Sequence, residues 1–174
     1  NGPTFSSTSG GSIVFDGVDD YINTSTNRNA TTNQNYTIAV IFKINSFTSG
    51  DMRIFGAVTG PTDQLTVGWT NTTLRLWVQR SWNNTNFTSS TNTIYHLTMV
   101  HQGTDNKIYV NGTFNSNVSN KTSYFNNLGF GQPFVLNYGT YFNGNIYTTQ
   151  VYDRALSSDE VLQNFNAQKG RFGL

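Results

Sequence analysis

The sequence predicts an all-β sandwich that carries one short C-terminal α-helix. Short runs rich in β-branched and aromatic residues recur between turn signals, a pattern typical of antiparallel sandwiches. The predicted strands are Ile13–Phe15, Tyr36–Ile44, Met52–Val58, Gln64–Trp69, Thr72–Gln79, Ile94–His101, Lys107–Val110, Phe134–Leu136 and Gly144–Tyr152. With 174 residues and no internal repeat, the chain is predicted to form one domain over residues 1–174.

The run Tyr36–Ile44 is predicted to be a central strand. Successive side chains of a strand point to opposite faces, so alternate residues share a face. One face is fully apolar and consists of Ile38, Val40 and Phe42. The other face is mixed and consists of Thr37, Ala39, Ile41 and Lys43. The apolar face is therefore expected to pack in the core.

Two further local signals fix a hairpin and a helix. Asn111-Gly112 lies inside Lys107–Phe114 and suits a two-residue type I′ turn, in which both positions need positive φ. Ser157-Ser-Asp-Glu160 is a capping box, because the serine hydroxyl and the glutamate carboxylate can satisfy each other's backbone N–H groups. The helix is predicted from Ser158 to Lys169, with Gly170 as its stop.

Composition excludes several classes of partner. Charged residues are 11% and aromatic residues 14% of the chain, so its surface is polar mainly through Asn, Thr, Ser and Gly. A net charge of +1 predicts no nucleic-acid binding and does not favour a highly anionic ligand. There is no cysteine, which excludes disulfides and thiolate chemistry. No run approaches the ~18 apolar residues of a membrane span, so membrane insertion is not predicted.

The segment Gly11-Ser-Ile-Val-Phe-Asp-Gly-Val-Asp-Asp-Tyr-Ile22 contains the strongest candidate for a metal site. A short apolar run meets the turn signal Asp16-Gly17, and Asp16, Asp19 and Asp20 then project from one bend. Carboxylates this close repel one another unless water, backbone donors or a cation such as Ca²⁺ compensates them. The bend is therefore either a solvated acidic turn or part of a calcium site.

The sequence contains no recognisable catalytic constellation. Glycoside hydrolysis normally needs two carboxylates about 5–9.5 Å apart, yet Glu160 is the only glutamate and no predicted strand carries two alternating aspartates. His96 and His101 are five apart on one strand, which places them on opposite faces and argues against a shared metal. The chain is therefore predicted not to be an enzyme.

A candidate ligand surface surrounds Trp82. Sugar recognition uses aromatic faces against C–H surfaces, with amide and hydroxyl groups bonding to the sugar hydroxyls. Trp82 lies at the start of a predicted polar loop, Asn83–Asn92, and is either a core residue or an exposed ligand contact, whereas Trp69 and Trp77 are predicted to be core residues. The predicted ligand-binding residues are Gln79, Arg80, Trp82, Asn83 and Asn84, with Tyr138 and Tyr141 in a second aromatic loop.

Three segments together resemble the laminin G-like domains of the concanavalin A-like lectin/glucanase superfamily. They are Gly11–Ile22, then His96–His101 followed by Lys107–Gly112 with its Tyr-Val-Asn-Gly hairpin, and Gly144–Glu160 with its Arg-Ala-Leu-Ser helix start. The resemblance covers nearly the whole chain in the right order. It implies a jelly roll of two antiparallel sheets, often with one Ca²⁺ at the sandwich edge and a ligand surface on the concave sheet or the loops.

The sequence departs from that family pattern in its closing strand. Ile146-Tyr-Thr148 stands where the family has Ile-Asp-Glu, so a carboxylate expected there is absent and the calcium expectation is weakened.

The tail Asn164–Leu174 is similar to laminin G-like domains of tailed-phage structural proteins. The resemblance implies a non-catalytic module of decoration, fibre or adhesion type, located at a virion surface or outside cells. Its partners would be glycans or virion and capsid proteins, and a homo-oligomer is compatible with this role. Two alternative functions remain besides adhesion: a purely structural protein–protein contact domain and a glycoside hydrolase.

Overall fold

The computed structural model describes residues 2–27, 35–48, 50–59, 65–131 and 140–174. Within these residues the chain forms two antiparallel sheets and one α-helix. The strands are β1 (Thr4–Ser6), β2 (Ser12–Asp16), β3 (Ile22–Asn23), β4 (Tyr36–Ile44), β5 (Asp51–Thr59), β6 (Thr66–Thr70), β7 (Thr73–Val78), β8 (Ser81–Thr88), β9 (Ile94–Gln102), β10 (Asp105–Val110), β11 (Thr113–Val118), β12 (Asn126–Phe130) and β13 (Asn143–Tyr152). The helix is α1 (Ser158–Phe172). The predicted strand Phe134–Leu136 lies outside the described residues.

The two sheets pack face to face as a sandwich, which confirms the predicted fold class. A seven-stranded sheet has the order β1-β2-β13-β4-β9-β10-β11, and a six-stranded sheet has the order β3-β12-β5-β6-β7-β8. The core between them contains Ile38, Val40 and Phe42 from one sheet and Trp69 and Leu76 from the other. The predicted bounds and faces of β4 are confirmed, and Trp69 is a core residue as predicted. Each such large side chain contributes about 1.5–3 kcal/mol by leaving water.

Two tight turns of the same kind connect neighbouring strands. Asn111 and Gly112 have φ of 49° and 75°, which confirms the predicted type I′ turn. Gln79 and Arg80, between β7 and β8, also both have positive φ, at 47° and 61°. Neither is a usual residue for this conformation, so this second hairpin is not predictable from its turn residues.

The prediction of a loop over Asn83–Asn92 is wrong for most of its length, because residues 83–88 belong to β8. Arg75 pairs with Asn84, and Trp77 pairs with Trp82. A polar edge strand rich in Asn and Thr lacks the apolar pattern by which strands are recognised, although its backbone still pairs with its neighbour.

The helix confirms the capping box but not the predicted end. The Ser157 side chain accepts a hydrogen bond from the Glu160 backbone N–H, and the Glu160 carboxylate accepts one from the Ser157 N–H. The helix continues through Gly170 to Phe172 and ends at Gly173, whose φ is 69°. Phe172 is buried against Tyr147, with ring centroids 5.4 Å apart, and this contact stabilises the extra turn. No helix in the described parts of the chain has the length and apolarity to cross a membrane.

The helix lies on the outer face of the seven-stranded sheet. The part of the sheet that it covers, His96, Val100 and Tyr109, is called here the helix-covered face. Phe165 stacks on His96 with ring centroids 5.9 Å apart, and Val161 packs with Val100 and Tyr109. Burial lowers the pKa of His96 to about 4, so the imidazole is neutral at pH 7. His101 lies on the opposite face as predicted, where its ring bonds to Asn106.

Candidate functional site

The outer face of the six-stranded sheet gathers aromatic and charged side chains from strands distant in sequence. On β7 the inner residues Leu74, Leu76 and Val78 are buried, and Arg75 and Trp77 therefore point outward. The strand pairing places Trp82 opposite Trp77 and Gly68 beside Arg75, and Arg53 lies opposite Gly68. This surface is called here the tryptophan–arginine face: Asp51, Arg53, Thr70, Arg75, Trp77 and Trp82.

Trp82 is the centre of the tryptophan–arginine face. Its ring meets that of Trp77 edge to face, with centroids 5.4 Å apart and an interplanar angle of 68°. The guanidinium carbons of Arg75 and Arg53 lie 4.9 and 5.5 Å from the centroid of the Trp82 ring. Such cation–π contacts are worth about 0.5–2 kcal/mol each. They hold a half-buried indole in a defined orientation.

A short hydrogen-bonded chain anchors Arg75. Its Nη1 donates to the Thr70 hydroxyl at 2.7 Å and lies 3.9 Å from Asp51 Oδ1. The Thr70 hydroxyl in turn donates to the Asp51 carboxylate. Both partners of the ion pair are partly accessible, with side-chain exposures of 22% for Arg75 and 28% for Asp51. The arginine is thus positioned without being sealed from a ligand.

Arg53 is buried with a charge that the described residues only partly compensate. The residue is 5% exposed, and its Nε has no hydrogen-bond partner. Burial lowers the pKa of Arg53 to about 10, while the Asp51 carboxylate acts in the opposite direction. The guanidinium therefore remains protonated at pH 7. Arg75 Nε and Thr66 Oγ1 on the same face are also buried without a partner.

The predicted ligand residues around Trp82 separate into three positions. Gln79 and Arg80 form the exposed turn at the end of the β7–β8 hairpin, where Gln79 Nε2 donates to Thr122. Asn84 is exposed on the same side of β8 as Trp82. Asn83 lies on the opposite side, and its Nδ2 donates to the backbone oxygens of Leu76 and Ser81. Asn83 therefore fixes the hairpin rather than facing outward with Trp82.

The second predicted aromatic loop is described only in part. Tyr138 lies outside the described residues. Tyr141 is half-buried and follows Thr140, whose backbone bonds to that of Asp51 and Arg53. The chain at Tyr141 thus runs beside the end of β5 that contributes to the tryptophan–arginine face.

Sequence reasoning missed Arg53, Arg75 and Asp51, and it misplaced Trp77. Trp77 was predicted in the core, but it lies half-buried on the outer face with Trp82. A signal was present: Arg75 and Trp77 alternate with Leu74, Leu76 and Val78, as expected for a strand with one solvent-facing side. That pattern indicates which side chains of β7 face solvent, but it does not indicate which strands lie next to β7.

The three aspartates of the acidic bend do come together. One carboxylate oxygen from each of Asp16, Asp19 and Asp20 lies within 4.8 Å of the others. This spacing fits oxygens that share one ion at 2.3–2.6 Å. Asp16 Oδ1 also accepts the backbone N–H of Val18 at 2.7 Å, and Asp20 Oδ2 accepts that of Asp16 at 2.9 Å.

Asp20 distinguishes this bend from an ordinary solvated turn. The residue is 4% exposed, and its Oδ1 is buried without a hydrogen-bond partner. Asn143 of β13 lies opposite Asp16, and its Nδ2 donates to the Asp16 carbonyl oxygen at 2.8 Å. Tyr147 and Thr148, which replace the carboxylates of the family pattern, lie further along β13 at a bulge.

Comparisons with known proteins agree with this architecture. A laminin G family model, described as the concanavalin A-like lectin/glucanases superfamily, matches residues 16–162. Among solved structures, a Trypanosoma rangeli sialidase in complex with 2,3-difluorosialic acid matches with a TM-score of 0.75 and 19% identity, over 92% of this chain. The present chain covers only 28% of that sialidase chain. A comparison with curated proteins found no match.

A second solved structure is matched over most of its own length. Domain 4 of AbnA, an extracellular GH43 arabinanase from Geobacillus stearothermophilus, was solved in complex with arabinotriose. It matches with a TM-score of 0.71 and 16% identity, over 92% of this chain and 80% of that one.

These likenesses contradict the prediction that the chain is not an enzyme. The matched structures include sialidases and an arabinanase domain, so the fold occurs within glycosidase chains. The absence of an alternating carboxylate pair therefore does not exclude a glycosidase. At the identities found, the solved structures establish the fold alone, whereas the family model spans most of the sequence. The chain belongs to the concanavalin A-like lectin/glucanase superfamily.

Proposed function

We propose that this domain binds carbohydrate through the tryptophan–arginine face. The observation that carries the proposal is the half-buried Trp82 indole, which has two guanidinium groups within 5.5 Å of its ring centroid and the Trp77 ring edge to face with it. An indole fixed in this way leaves part of its apolar surface for sugar C–H groups at little cost in side-chain entropy. Asp51, Arg75 and the exposed Asn84 supply charged and amide groups for sugar hydroxyls.

The arabinanase domain supports this proposal, because a domain of similar fold and length was solved with an oligosaccharide. The sialidase likeness suggests that such a domain can be one part of a much longer chain. Within the proposal, the domain works at a virion surface or outside cells, where it attaches a larger particle or protein to glycans. A contact with virion or capsid proteins is the competing role for the same surface.

A glycan array probed with the wild type and with Trp82→Ala tests the proposal. We expect binding by the wild type and about a tenfold loss of affinity in Trp82→Ala, which corresponds to about 1.4 kcal/mol, because the variant lacks the aromatic surface. Phe5→Ala is the matched control, because Phe5 is 71% exposed on β1 of the other sheet. Melting curves establish that each variant is folded. A wild type without glycan signal that associates stably with capsid or fibre protein would overturn the proposal.

We also propose that the acidic bend holds one Ca²⁺. The buried, unpartnered Oδ1 of Asp20 supports this, because a buried carboxylate oxygen needs a donor or a cation. Asp16 and Asp19 would complete the side-chain ligands. When bound, the ion would pin the β2–β3 connection to the edge of the sandwich, a structural role.

Thermal melting with calcium and with chelator tests the calcium site. We expect a higher midpoint with calcium for the wild type, since an ion that binds only the folded state stabilises it. Asp20→Asn should lose that difference, and the exposed Asp153→Asn should keep it. An unchanged wild-type midpoint would contradict the proposal.

A further inference from the structure

The charges on the tryptophan–arginine face do not balance. Arg53 and Arg75 lie around one indole, and the same carboxylate, Asp51, acts on both of them. In the described part of the chain no ion pair of either arginine with another carboxylate is found. Among the described residues, two partly desolvated guanidiniums thus share one anion, which leaves an excess positive charge on their part of the face.

The hydrogen-bonding capacity of the two arginines is also incomplete. Arg75 uses Nη1 for Thr70, whereas its Nε and the Nε of Arg53 are buried without acceptors. Arg53 is more than nine-tenths buried, so solvent does not replace a missing acceptor. A buried donor left unsatisfied costs about 1–3 kcal/mol, and more when it is charged. A ligand does not reach these buried Nε atoms, but a bound anion would offset the charge of the two guanidiniums.

A carboxylate offsets the excess positive charge and bonds to a guanidinium more strongly than a hydroxyl does. It supplies a negative charge and planar oxygens that match a guanidinium, and such charge-assisted bonds are about twice as strong as neutral ones. A hydroxyl would leave the excess charge uncompensated. A polyanion is not required, since the local excess amounts to one charge and the whole chain carries only +1.

We propose that the tryptophan–arginine face selects glycans that carry a carboxylate, such as uronic or sialic acid residues. The sugar ring lies on Trp82, and its carboxylate pairs with Arg75. Arg53 lies beneath and adds attraction without direct exposure. This inference rests on the proposed carbohydrate binding and names its substrate class.

Calorimetric titration with matched glycan pairs tests the inference. The probes are 3′-sialyllactose with lactose, and trigalacturonate with galactotriose, so that each pair differs mainly in its carboxylates. We expect the wild type to prefer the acidic member of at least one pair by about tenfold or more. That preference should shrink at high salt, because screening weakens a partly exposed ion pair.

Variants of Arg75 test whether the preference for acidic glycans arises at the tryptophan–arginine face. Arg75→Gln should bring the ratio of acidic to neutral glycan affinity to about one, whatever its effect on the affinity for the neutral sugar. Lys107→Gln removes the same charge from β10 of the other sheet and should keep the wild-type ratio. If Arg75→Gln does not fold, Arg75→Lys decides, since it keeps the charge but loses the planar fork. A reduced ratio then supports the inference, and an unchanged ratio overturns it.

The failures of the two proposals are distinguishable. Equal binding of acidic and neutral sugars by the wild type would overturn the acidic selectivity and leave carbohydrate binding standing. An acidic preference that persists in Arg75→Gln would also overturn it. No binding of any glycan on the array would overturn both.

Discussion

Each outer face of the sandwich buries one nitrogen-bearing side chain, and the two side chains differ in charge at pH 7. On the helix-covered face, His96 lies under Phe165, and both of its ring nitrogens lack partners. On the tryptophan–arginine face, Arg53 is similarly buried and has an unpartnered Nε. Burial lowers the pKa of both groups, to about 4 for His96 and about 10 for Arg53. At pH 7 the histidine is therefore neutral and the arginine is still charged.

This difference indicates which face is a structural surface and which is suited to a ligand. A histidine can release its proton and be covered by the chain's own helix at modest cost. An arginine cannot, so its burial leaves a charge that needs an anion. The Asp51 carboxylate is the anion for both Arg53 and Arg75.

The helix-covered face should respond strongly to acid. Since the pKa of His96 falls from its ordinary 6.5 to about 4 on folding, the unfolded state binds more protons between those values. Stability should therefore be complete above pH 6.5 and fall toward pH 4, by on the order of 3 kcal/mol from this group. His101, whose pKa burial also lowers, contributes in the same direction.

Urea unfolding of His96→Phe against the wild type, over that pH range, isolates the effect of His96. The variant keeps the ring stack on Phe165 and should lose most of the pH slope. Equal slopes in the two proteins would show that His96 is not the group responsible.

Truncating the helix contact should weaken the helix-covered face without touching the ligand surface. Val161→Ala should lower the free energy of unfolding by about 2 kcal/mol, because Val161 is 0% exposed in the cluster with Val100 and Tyr109. Leu162→Ala on the same helix is the control, since Leu162 is 45% exposed. Glycan affinity should be unchanged in both, and a loss of affinity in Val161→Ala would break the separation of the two faces.

Removing the shared anion should destabilise the tryptophan–arginine face. Asp51→Asn leaves the two guanidiniums without their common carboxylate and should cost about 1–2 kcal/mol, less than for a fully buried pair because Asp51 is 28% exposed. Chemical denaturation measures the effect, with Asp153→Asn as the control. An equal cost in the two variants would show that Asp51 has no special role.

Replacing the buried charge should have the opposite sign. Arg53→Met removes a desolvated guanidinium with an unpartnered Nε and keeps much of its volume, so we expect a gain of about 1 kcal/mol. The same denaturation experiment measures it, and the variant should also show a weaker preference for acidic glycans. A clear loss of stability would mean that Arg53 is already well compensated in the free protein.

Local sequence patterns predict much of the sandwich, but they do not predict its polar strands. β4 was predicted with its observed bounds because nine residues of apolar and β-branched character carry a clear alternation. The sequence predicts a loop over residues 83–88 of β8, because an Asn- and Thr-rich strand is stabilised by pairing with β7 and has no apolar pattern of its own. The helix end was misplaced at Gly170, because the contact of Phe172 with Tyr147 is a tertiary one.

The candidate site was predicted only as far as single residues. Trp82 and Asn84 lie on the tryptophan–arginine face or beside it, whereas Asn83 faces the other way, as alternation along β8 requires. Arg53 and Arg75 were not anticipated, because nothing in the sequence indicates that β5 and β7 flank β6.

Residues within one short segment specify the Asn111-Gly112 turn and the capped start of α1, and motifs spread along the sequence identify the family. The packing of the sandwich brings Arg53 and Arg75 together around Trp82 and buries Asp20 in the acidic bend. Those outcomes depend on which strands become neighbours and on what covers them. Strand pairing and burial are properties of the packed sandwich, and the free energy that selects them comes from contacts between segments far apart in the chain.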